Sequence, residues 1–445
     1  MPATIRFPKP YLGEGEVVVP AAQYGPRYQE RIRALRKELV LPGFRPGQVP
    51  AEVIMARQGE SILSDVLLTH FFEALRDTLG NRKLIGLPYY AHTPEKLQAQ
   101  PPFPDYVYQV RFLTVPDQPL PLGEVRLMEY AYQSNPADVQ LYKEFLRLIF
   151  GKLEPLEALP ASIPAERGLI VRLFWERREK PSLRLPWNTL IRPFSWELLA
   201  GRRLGEKFSL PVAHLMPYTD LIRLEEPDFS PLTLSESTIE LSVASAALVQ
   251  PASLDEILAQ LEISPEERAQ PEALWEGLLR RLTERTVQRL NRRLQRQQLL
   301  KAAGVTIPED LAYYNYLLYL RTRSGQNGHP RQYSEYKEDL AWRVFFASYA
   351  EHMPELQVSE EEMQEKLWER LKQVPDLSPE AQAWLDRLES AEEERQTALR
   401  HLLQKSGEVF KDSLQHARFQ EWLKARLGPP QTHPISAETL FLYLI

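Results

Sequence analysis

The stretch L-P-G-F-R-P-G-Q-V-P, residues 41–50, decides how the first part of the chain is organised. Proline fixes its own φ and glycine adopts backbone angles that other residues avoid, so this composition predicts a loop with one fixed shape. Phe44 and Arg45 stand between the two glycines, at the tip of that loop. An exposed aromatic ring beside an exposed cation costs solubility unless a partner covers it, and this indicates a binding surface.

The composition is that of a soluble globular protein, and it excludes several kinds of chemistry. The 445 residues predict two to four domains. Cysteine is absent, which excludes disulfides, cysteine-ligated zinc and thiol catalysis. The histidines lack metal-binding spacing and no phosphate-loop or nucleophile-elbow motif occurs, so we expect neither a metal nor a cofactor. No signal peptide or apolar run of about 18 residues is present, which predicts a cytosolic protein without a membrane partner.

Residues 1–120 predict a small α+β domain with helices packed on one antiparallel sheet. T-I-R-F and G-E-V-V-V-P predict two short strands, and a helix with one apolar face follows from Arg27 to Val40. After the quoted loop we expect two helices, Ala51–Arg57 and Ser61–Leu79. The segment D-Y-V-Y-Q-V-R-F-L-T-V-P then alternates like a half-buried strand. Its inward positions are Tyr106, Tyr108, Val110 and Phe112.

The rest of the chain predicts a linker, a β-rich module and a helical region. Residues 121–155 form the linker, with one helix from Ala137 to Phe150. Residues 156–250 contain two alternating segments and a short helix at Ser195–Ala200. Residues 251–445 are helical, so the predicted fold class is a multidomain α+β protein with a large all-α C-terminal domain. The alternating strand positions are Leu169, Val171, Leu173 and Trp175, then Ile239, Leu241 and Val243.

Two aromatic stripes predict an αα-hairpin in the helical region, joined by the turn R-S-G-Q-N-G-H-P-R at 323–331. Each stripe has the i, i+3, i+4, i+7 spacing of one helix face. Such a stripe is usually buried in a core, whereas an exposed one offers apolar surface to another chain. The members are Tyr313, Tyr316, Leu317 and Leu320 in the first helix, and Trp342, Phe345, Phe346 and Tyr349 in the second.

Three segments resemble bacterial trigger factor. G-F-R-P-G-Q-V-P, residues 43–50, looks like the family's ribosome-binding signature G-F-R-x-G-K-x-P, and it likewise follows the first long helix. L-I-R-P-F-S-W-E-L-L-A-G-R-R-L-G-E, residues 190–206, is similar to a stretch of the family's FKBP-like isomerase domain. Residues 289–311 resemble the helix and corner that open an arm of the C-terminal domain. Domain order and length fit over essentially the whole chain, and the N-terminal motif is the most specific of the three.

The resemblance implies an elongated cytosolic chaperone that works without ATP or another cofactor. Its N-terminal domain would bind the ribosome near the exit tunnel, through a large-subunit protein and ribosomal RNA. Its middle domain would be FKBP-like, and its helical arms would shelter unfolded nascent polypeptides. The same resemblance implies a monomer on the ribosome and leaves open a weak homodimer of the unbound protein.

The resemblance places ribosome binding on the quoted loop and on nearby cations. Arg45 would meet RNA phosphate or an acidic side chain, and Phe44 would anchor apolar contact. Pro46 and Gln48 stand where the family usually has lysine, so we expect binding that is retained but weaker. The supporting cations equally fit a plain solvated helix face. The predicted set is Gly43, Phe44, Arg45, Pro46 and Gly47, supported by Arg31, Arg33, Lys37 and Arg57.

The isomerase pocket of the family is only partly matched. Leu190, Ile191 and Phe194 correspond to its floor by position. The span 176–189, where the family places an aspartate and an aromatic residue of the pocket, contains no Asp, Tyr or Phe. Three apolar residues are also what the core of a small domain needs. We therefore expect a degenerate domain without a catalytic residue and with weak or absent peptidyl-prolyl isomerase activity.

Client binding would fall on the two aromatic stripes, and three other functions stay open. One is an active isomerase whose helices only help to capture substrate. Another is an RNA-binding ribosome-assembly factor that uses the basic helices at 27–37 and 280–301, which predicts a steep salt dependence. The third is a periplasmic chaperone of related architecture, against which the missing signal segment argues.

Overall fold

The computed structural model describes residues 3–177, 183–223, 234, 237–323, 332–374 and 378–444, except residues 40, 43, 46 and 262. The chain divides into a first unit, Met1–Val125 with Leu299–Gly428, and a second unit, Arg126–Gln298 with Pro429–Ile445. No helix in the described ranges is long and apolar enough to cross a membrane. The same ranges contain no group of three or more His, Asp or Glu residues that could hold a metal ion.

The N-terminal sheet of the first unit has four antiparallel strands. They are β1 (Ala3–Lys9), β2 (Leu12–Val19), β3 (Leu84–Thr93) and β4 (Tyr106–Thr114). Their order is β1-β2-β4-β3. The inward positions predicted for β4 are all buried, which confirms that strand. The sequence did not predict β3, because Gly86 and Pro88 interrupt its alternation.

Two helices pack on this sheet, α1 (Ala21–Glu38) and α2 (Ala51–Leu79). The predicted break near residue 59 is wrong, since α2 continues through Gly59. A Cβ added at Gly59 would lie 3.0 Å from the Tyr28 hydroxyl and 3.1 Å from the Ala99 Cβ. The glycine therefore allows close packing between α2 and its neighbours instead of ending the helix.

The sheet of the second unit confirms the predicted β-rich module. Its elements before residue 299 include β5 (Met128–Ala131), β6 (Lys152–Pro155), β7 (Gly168–Glu176), β8 (Leu183–Asn188), β9 (Lys207–Pro211) and β10 (Thr238–Gln250). Four strands pair antiparallel in the order β6-β10-β7-β8, and β9 pairs with β10. The inward positions predicted in β7 and β10 are buried, as period-two alternation requires.

Five α-helices among the described residues lie in this unit, or begin in it, before residue 299. They are α3 (Pro136–Ile149), α4 (Thr219–Arg223), α5 (Leu254–Gln260), α6 (Pro265–Arg268) and α7 (Pro271–Ala302). Those that contribute to its core are α3, α4, α5 and α7. The linker helix α3 begins where Asn135 caps it, because the Ala137 N–H donates to the Asn135 side chain at 3.0 Å. The short helix predicted at Ser195–Ala200 is a 3₁₀ turn at Trp196–Leu198.

The remainder of the first unit is helical, as predicted. Its helices are α8 (Glu309–Arg323), α9 (Tyr333–Ala350), α10 (Glu360–Lys372), α11 (Pro379–Ser390) and α12 (Glu392–Leu427). Together, α8 and α9 form the predicted helical pair. The turn predicted between them lies, after Arg323, outside the described residues.

The end of the chain returns to the second unit, which the sequence did not predict. Strand β11 (Gln431–Pro434) pairs in parallel with β5, and helix α13 (Ala437–Leu444) follows it. The Phe441 ring stacks on Phe145 of α3 with centroids 4.6 Å apart. The two units thus follow contacts rather than chain order, and the predicted domain limits at residues 120, 155 and 250 stay predictions. The predicted fold class, α+β with a large helical C-terminal region, is confirmed.

Candidate functional site

The loop between α1 and α2 is shaped by its own backbone. The Phe44 N–H donates to the Leu41 carbonyl at 3.1 Å, and the Gln48 N–H donates to the Arg45 carbonyl at 2.9 Å. Gly47 has φ +77°, with open space where a Cβ would lie. Glycine is therefore needed here for its backbone angle and not for close packing. Two predicted members of the loop lie outside the described residues, Gly43 and Pro46.

The tip of this loop is exposed while its base is buried. Phe44 keeps 38% of its surface exposed, and Arg45 is also exposed. Val49, at the base, is completely buried in the same core as Ile54 of α2. Arg45 forms no ion pair with any residue that the structure describes. The loop thus presents an aromatic ring and an unneutralised guanidinium from an anchored base, as its sequence predicts.

The four supporting cations are exposed, but they do not lie on one helix face. With about 100° per residue, Arg33 and Lys37 lie on the side of α1 away from its buried face, and Arg31 lies at the edge of that face. Arg57 is exposed on α2. Within the described part of the chain none of these four forms an ion pair. Their positive charges are available to an anionic partner, and the structure equally fits a solvated face.

The predicted pocket floor belongs to the core of the second unit. Ile191 and Phe194 are buried, and half-buried Leu190 packs against the same core. The N–H groups of Leu190 and Ile191 both donate to Oδ1 of Asn188, at 2.9 and 2.7 Å. Asn188 is itself completely buried at the end of β8. The backbone N–H groups of Leu190 and Ile191 are therefore satisfied within the protein and are not offered to a ligand, whereas Nδ2 of Asn188 is buried without a hydrogen-bond partner among the described residues.

Aromatic rings pack around the same loop. The Trp187 indole N–H donates to the Phe194 carbonyl at 3.0 Å, and the Tyr218 hydroxyl donates to the Pro186 carbonyl at 3.0 Å. Burial raises the pKa of Tyr218 far above its ordinary value, so its phenol stays a neutral donor. The Phe194 and Tyr218 rings lie 6.2 Å apart. This packing favours a core role for Leu190, Ile191 and Phe194.

The first aromatic stripe, on α8, is partly open to solvent. Tyr313 is 52% exposed and Leu317 is 38% exposed, whereas Tyr316 and Leu320 are half-buried. Tyr316 lies 5.3 Å from the ring of Tyr333 on α9. One edge of this stripe therefore joins the two helices, and the other edge remains as exposed apolar surface.

The second stripe, on α9, is buried, which corrects the expectation that it faces clients. Phe419 of α12 covers it, with ring centroids 6.0 Å from Phe345, 5.5 Å from Phe346 and 5.2 Å from Tyr349. The Trp342 indole N–H donates at 3.2 Å to Nε2 of His416, which also lies on α12. All four stripe residues lie in a packed core because α12 occupies the face where a client would have to bind.

Some exposed apolar side chains lie outside the two predicted stripes. Val409 of α12 keeps 75% of its surface exposed, and Trp384 of α11 keeps 38%. Val409 has Lys405 and Ser413 one turn away on either side, so it forms no stripe. In the sequence, such a site is marked only by a single apolar residue on an otherwise polar helix face, and this pattern is a weak indication of a binding surface.

Comparison with known proteins gives one family match and several partial relatives. Residues 7–143 match the family model described as bacterial trigger factor protein (TF). The trigger factor of Granulibacter bethesdensis is 31% identical over 153 residues, which are 34% of this chain and 33% of that protein. The trigger factor of Nitrosospira multiformis is 28% identical over 214 residues, 45% of this chain and 47% of that one. That of Rhodospirillum rubrum is 37% identical over 71 residues, 16% of each chain.

The alignments thus span less than half the length of these curated relatives. A solved structure from work on substrate recognition by the trigger factor chaperone aligns with 95% of this chain and 100% of its own. It is 18% identical and has a TM-score of 0.34, which is too low to establish a common overall fold.

Proposed function

We propose a function from one premise, that the chain is a member of the bacterial trigger factor family, whose model its residues 7–143 match. The protein is a ribosome-associated chaperone that acts without ATP. It docks through the loop at 41–50 and holds unfolded polypeptide on exposed apolar side chains of its helical region. The observation that carries this proposal is the exposure of Phe44 and Arg45 on an anchored loop within the matched segment.

The chemistry of the loop suits a ribosomal surface. A guanidinium matches the geometry of phosphate and carboxylate groups, and Arg45 has no competing ion pair among the described residues. Phe44 adds apolar contact that excludes water around this charged bond. Gln48 is exposed and uncharged where the resembled signature has lysine, so counterion release makes a smaller contribution to affinity.

Client binding belongs to the exposed edge of the α8 stripe. Tyr313 and Leu317 offer apolar surface in a helix whose other faces are packed. Apolar contacts of limited area are weak and reversible, and their release needs no covalent step. The buried residues of α9 support the α8 surface through packing and do not contact clients themselves.

Co-sedimentation with ribosomes tests the docking proposal. The protein is compared with a Phe44→Ala/Arg45→Ala variant and with a Trp384→Ala/Arg387→Ala control. The control also removes an aromatic ring that is 38% exposed and a neighbouring exposed cation. Both variants should keep the unfolding profile of the parent protein, because all four side chains are exposed.

We expect the loop variant to lose ribosome binding and the control to retain it. Equal loss in both variants, or retention in both, would overturn docking through this loop. Binding to protein-free RNA with a steep salt slope, without suppression of client aggregation, would instead support an RNA-binding assembly factor.

A further inference from the structure

The buried side chain of Asn315 on α8 forms hydrogen bonds with the backbone of Leu87 in the N-terminal sheet. The register between β3 and β4 shifts between Ile85 and Tyr89, so Leu87 is outside the strand pairing. The Leu87 N–H donates to Oδ1 of Asn315 at 2.8 Å, and Nδ2 of Asn315 donates to the Leu87 carbonyl at 2.9 Å. The same Nδ2 also donates to the Leu311 carbonyl at 3.0 Å. The amide thus replaces the missing strand partner of Leu87.

The side-chain amide of Asn315 is buried and closely packed against Gly86. Asn315 is only 4% exposed, so water does not compete well for its bonds. Gly86 has φ +74°, and a Cβ there would lie 2.7 Å from the Asn315 Oδ1. The Leu87 side chain is 51% exposed, so α8 recognises the backbone of this segment and not its side chain.

Further contacts join the same two parts of the first unit. The Thr306 N–H donates to the Tyr11 hydroxyl at 2.9 Å, just before α8 begins. The Leu120 N–H donates to the buried hydroxyl of Ser348 on α9 at 3.2 Å. Lys83 forms an ion pair with Glu351 at 2.7 Å. The N-terminal sheet is therefore held at several points, and Asn315 supplies the bidentate contact among these.

The helical period places the exposed apolar pair on the other side of α8. Tyr313 and Leu317 are two residues before and two residues after Asn315, which is about 160° around the helix in each direction. Contact of Asn315 with Leu87 therefore turns these two side chains away from the N-terminal sheet. The rotation of α8 on the sheet sets the direction of the proposed client surface.

We propose that Asn315 is a positioning residue that fixes the client surface of α8 relative to the ribosome-docking domain. This inference rests on the proposed function for its biological meaning, although the rigid attachment itself does not. Docking on the ribosome then brings Tyr313 and Leu317 close to the nascent chain. Because α8 is fixed on the docking domain, docking also sets the direction in which these two side chains face. Without the amide, Leu87 leaves two backbone groups unsatisfied, and the docked arrangement loses about a factor of ten or more in population.

The absence of cysteine allows clean labelling for the test. Spin labels on Asp77→Cys, on the exposed side of α2, and on Leu317→Cys report the distance between the domain and the client surface. The labelled protein is compared with Asn315→Ala and with Gly86→Ala, which blocks the same contact if Asn315→Ala fails to fold. Asn291→Ala is the matched control, because Asn291 of α7 bonds both backbone groups of Tyr130 in the same way, at 2.7 and 2.9 Å, in the second unit.

We expect one narrow distance distribution in the parent protein and in Asn291→Ala, and a broad one in Asn315→Ala and Gly86→Ala. A photo-crosslinker on Leu317→Cys should also lose its nascent-chain product several-fold in Asn315→Ala, with co-sedimentation unchanged. A distance distribution that stays narrow in both variants would overturn the positioning role. If the parent protein itself does not co-sediment with ribosomes, the proposed docking is overturned. The distance measurement still decides, on its own, whether Asn315 holds α8 on the N-terminal sheet.

Discussion

Replacing Phe345 by alanine tests whether the α9 stripe is core or client surface. Phe345 is completely buried, with ring centroids 5.4 Å from Trp342, 5.2 Å from Tyr349 and 6.0 Å from Phe419. A Phe→Ala change in such a core costs about 3–5 kcal/mol, from lost burial and from the cavity left behind. A loss of about 4 kcal/mol is roughly a thousandfold in the equilibrium between packed and open α9.

The matched control is Leu317→Ala on the exposed edge of α8. This change should alter the free energy of unfolding by no more than about 0.5 kcal/mol, since the side chain is 38% exposed. Hydrogen exchange of α9 amides is the suitable measurement, because a chain with two units does not unfold in one step. Suppression of aggregation of a denatured client is measured in parallel on the same samples.

We expect Phe345→Ala to lower the protection of α9 amides by up to the thousandfold worked out above. Leu317→Ala should leave that protection unchanged and should weaken client capture. The reasoning fails if Phe345→Ala leaves the protection of α9 intact and abolishes client capture, because the ring would then act on clients directly. It also fails if Leu317→Ala disturbs α9 as strongly as Phe345→Ala does.

Four further predictions concern Gly47 in the loop at 41–50, Lys37 on α1, isomerase activity of the second unit, and alkaline unfolding. Gly47→Ala should weaken ribosome co-sedimentation, because φ +77° costs a non-glycine residue about 1–2 kcal/mol and the loop loses its shape when it relieves that strain; unchanged binding would contradict this. Lys37→Gln should reduce the slope of log affinity against log salt by about one if Lys37 meets phosphate, and by nothing if it is only solvated. The full chain should not accelerate proline isomerisation across its barrier of about 18–20 kcal/mol in a peptide assay, since the residues of the predicted pocket floor pack in a core and the span 176–189 contains no Asp, Tyr or Phe. Burial raises the pKa of Tyr349 from 10.0 to about 12. The stability from its neutral form is therefore complete below pH 10 and is lost as pH rises towards 12, by about 2–3 kcal/mol, and Tyr349→Phe should flatten alkaline unfolding.

Local patterns in the sequence were sufficient for much of the secondary structure. Alternation in β4, β7 and β10 identified both the strands and their inward faces, because side chains alternate across any strand. The stiff composition of residues 41–50 likewise predicted an exposed Phe44 and Arg45. These features depend mainly on residues close together in the chain.

The same reasoning failed where a feature depends on what packs against an element. Helical spacing identified an apolar face on both α8 and α9, but it cannot tell which face another helix covers. Phe419 buries the α9 stripe from a helix that follows much later in the chain. Two helices were expected within residues 51–79, whereas a single helix continues through Gly59, which provides room for Tyr28.

The sequence by itself therefore determined most of the helices, the inward faces of β4, β7 and β10, and the loop at 41–50, since these follow from backbone geometry and local periodicity. Only the tertiary structure showed that the Asn315 side chain forms hydrogen bonds with both backbone groups of Leu87. It also showed that α13 completes the core of the second unit. It also decided which aromatic stripe remains exposed. The physical reason is that burial and hydrogen-bond satisfaction are properties of a contact, and these contacts join residues far apart in the chain.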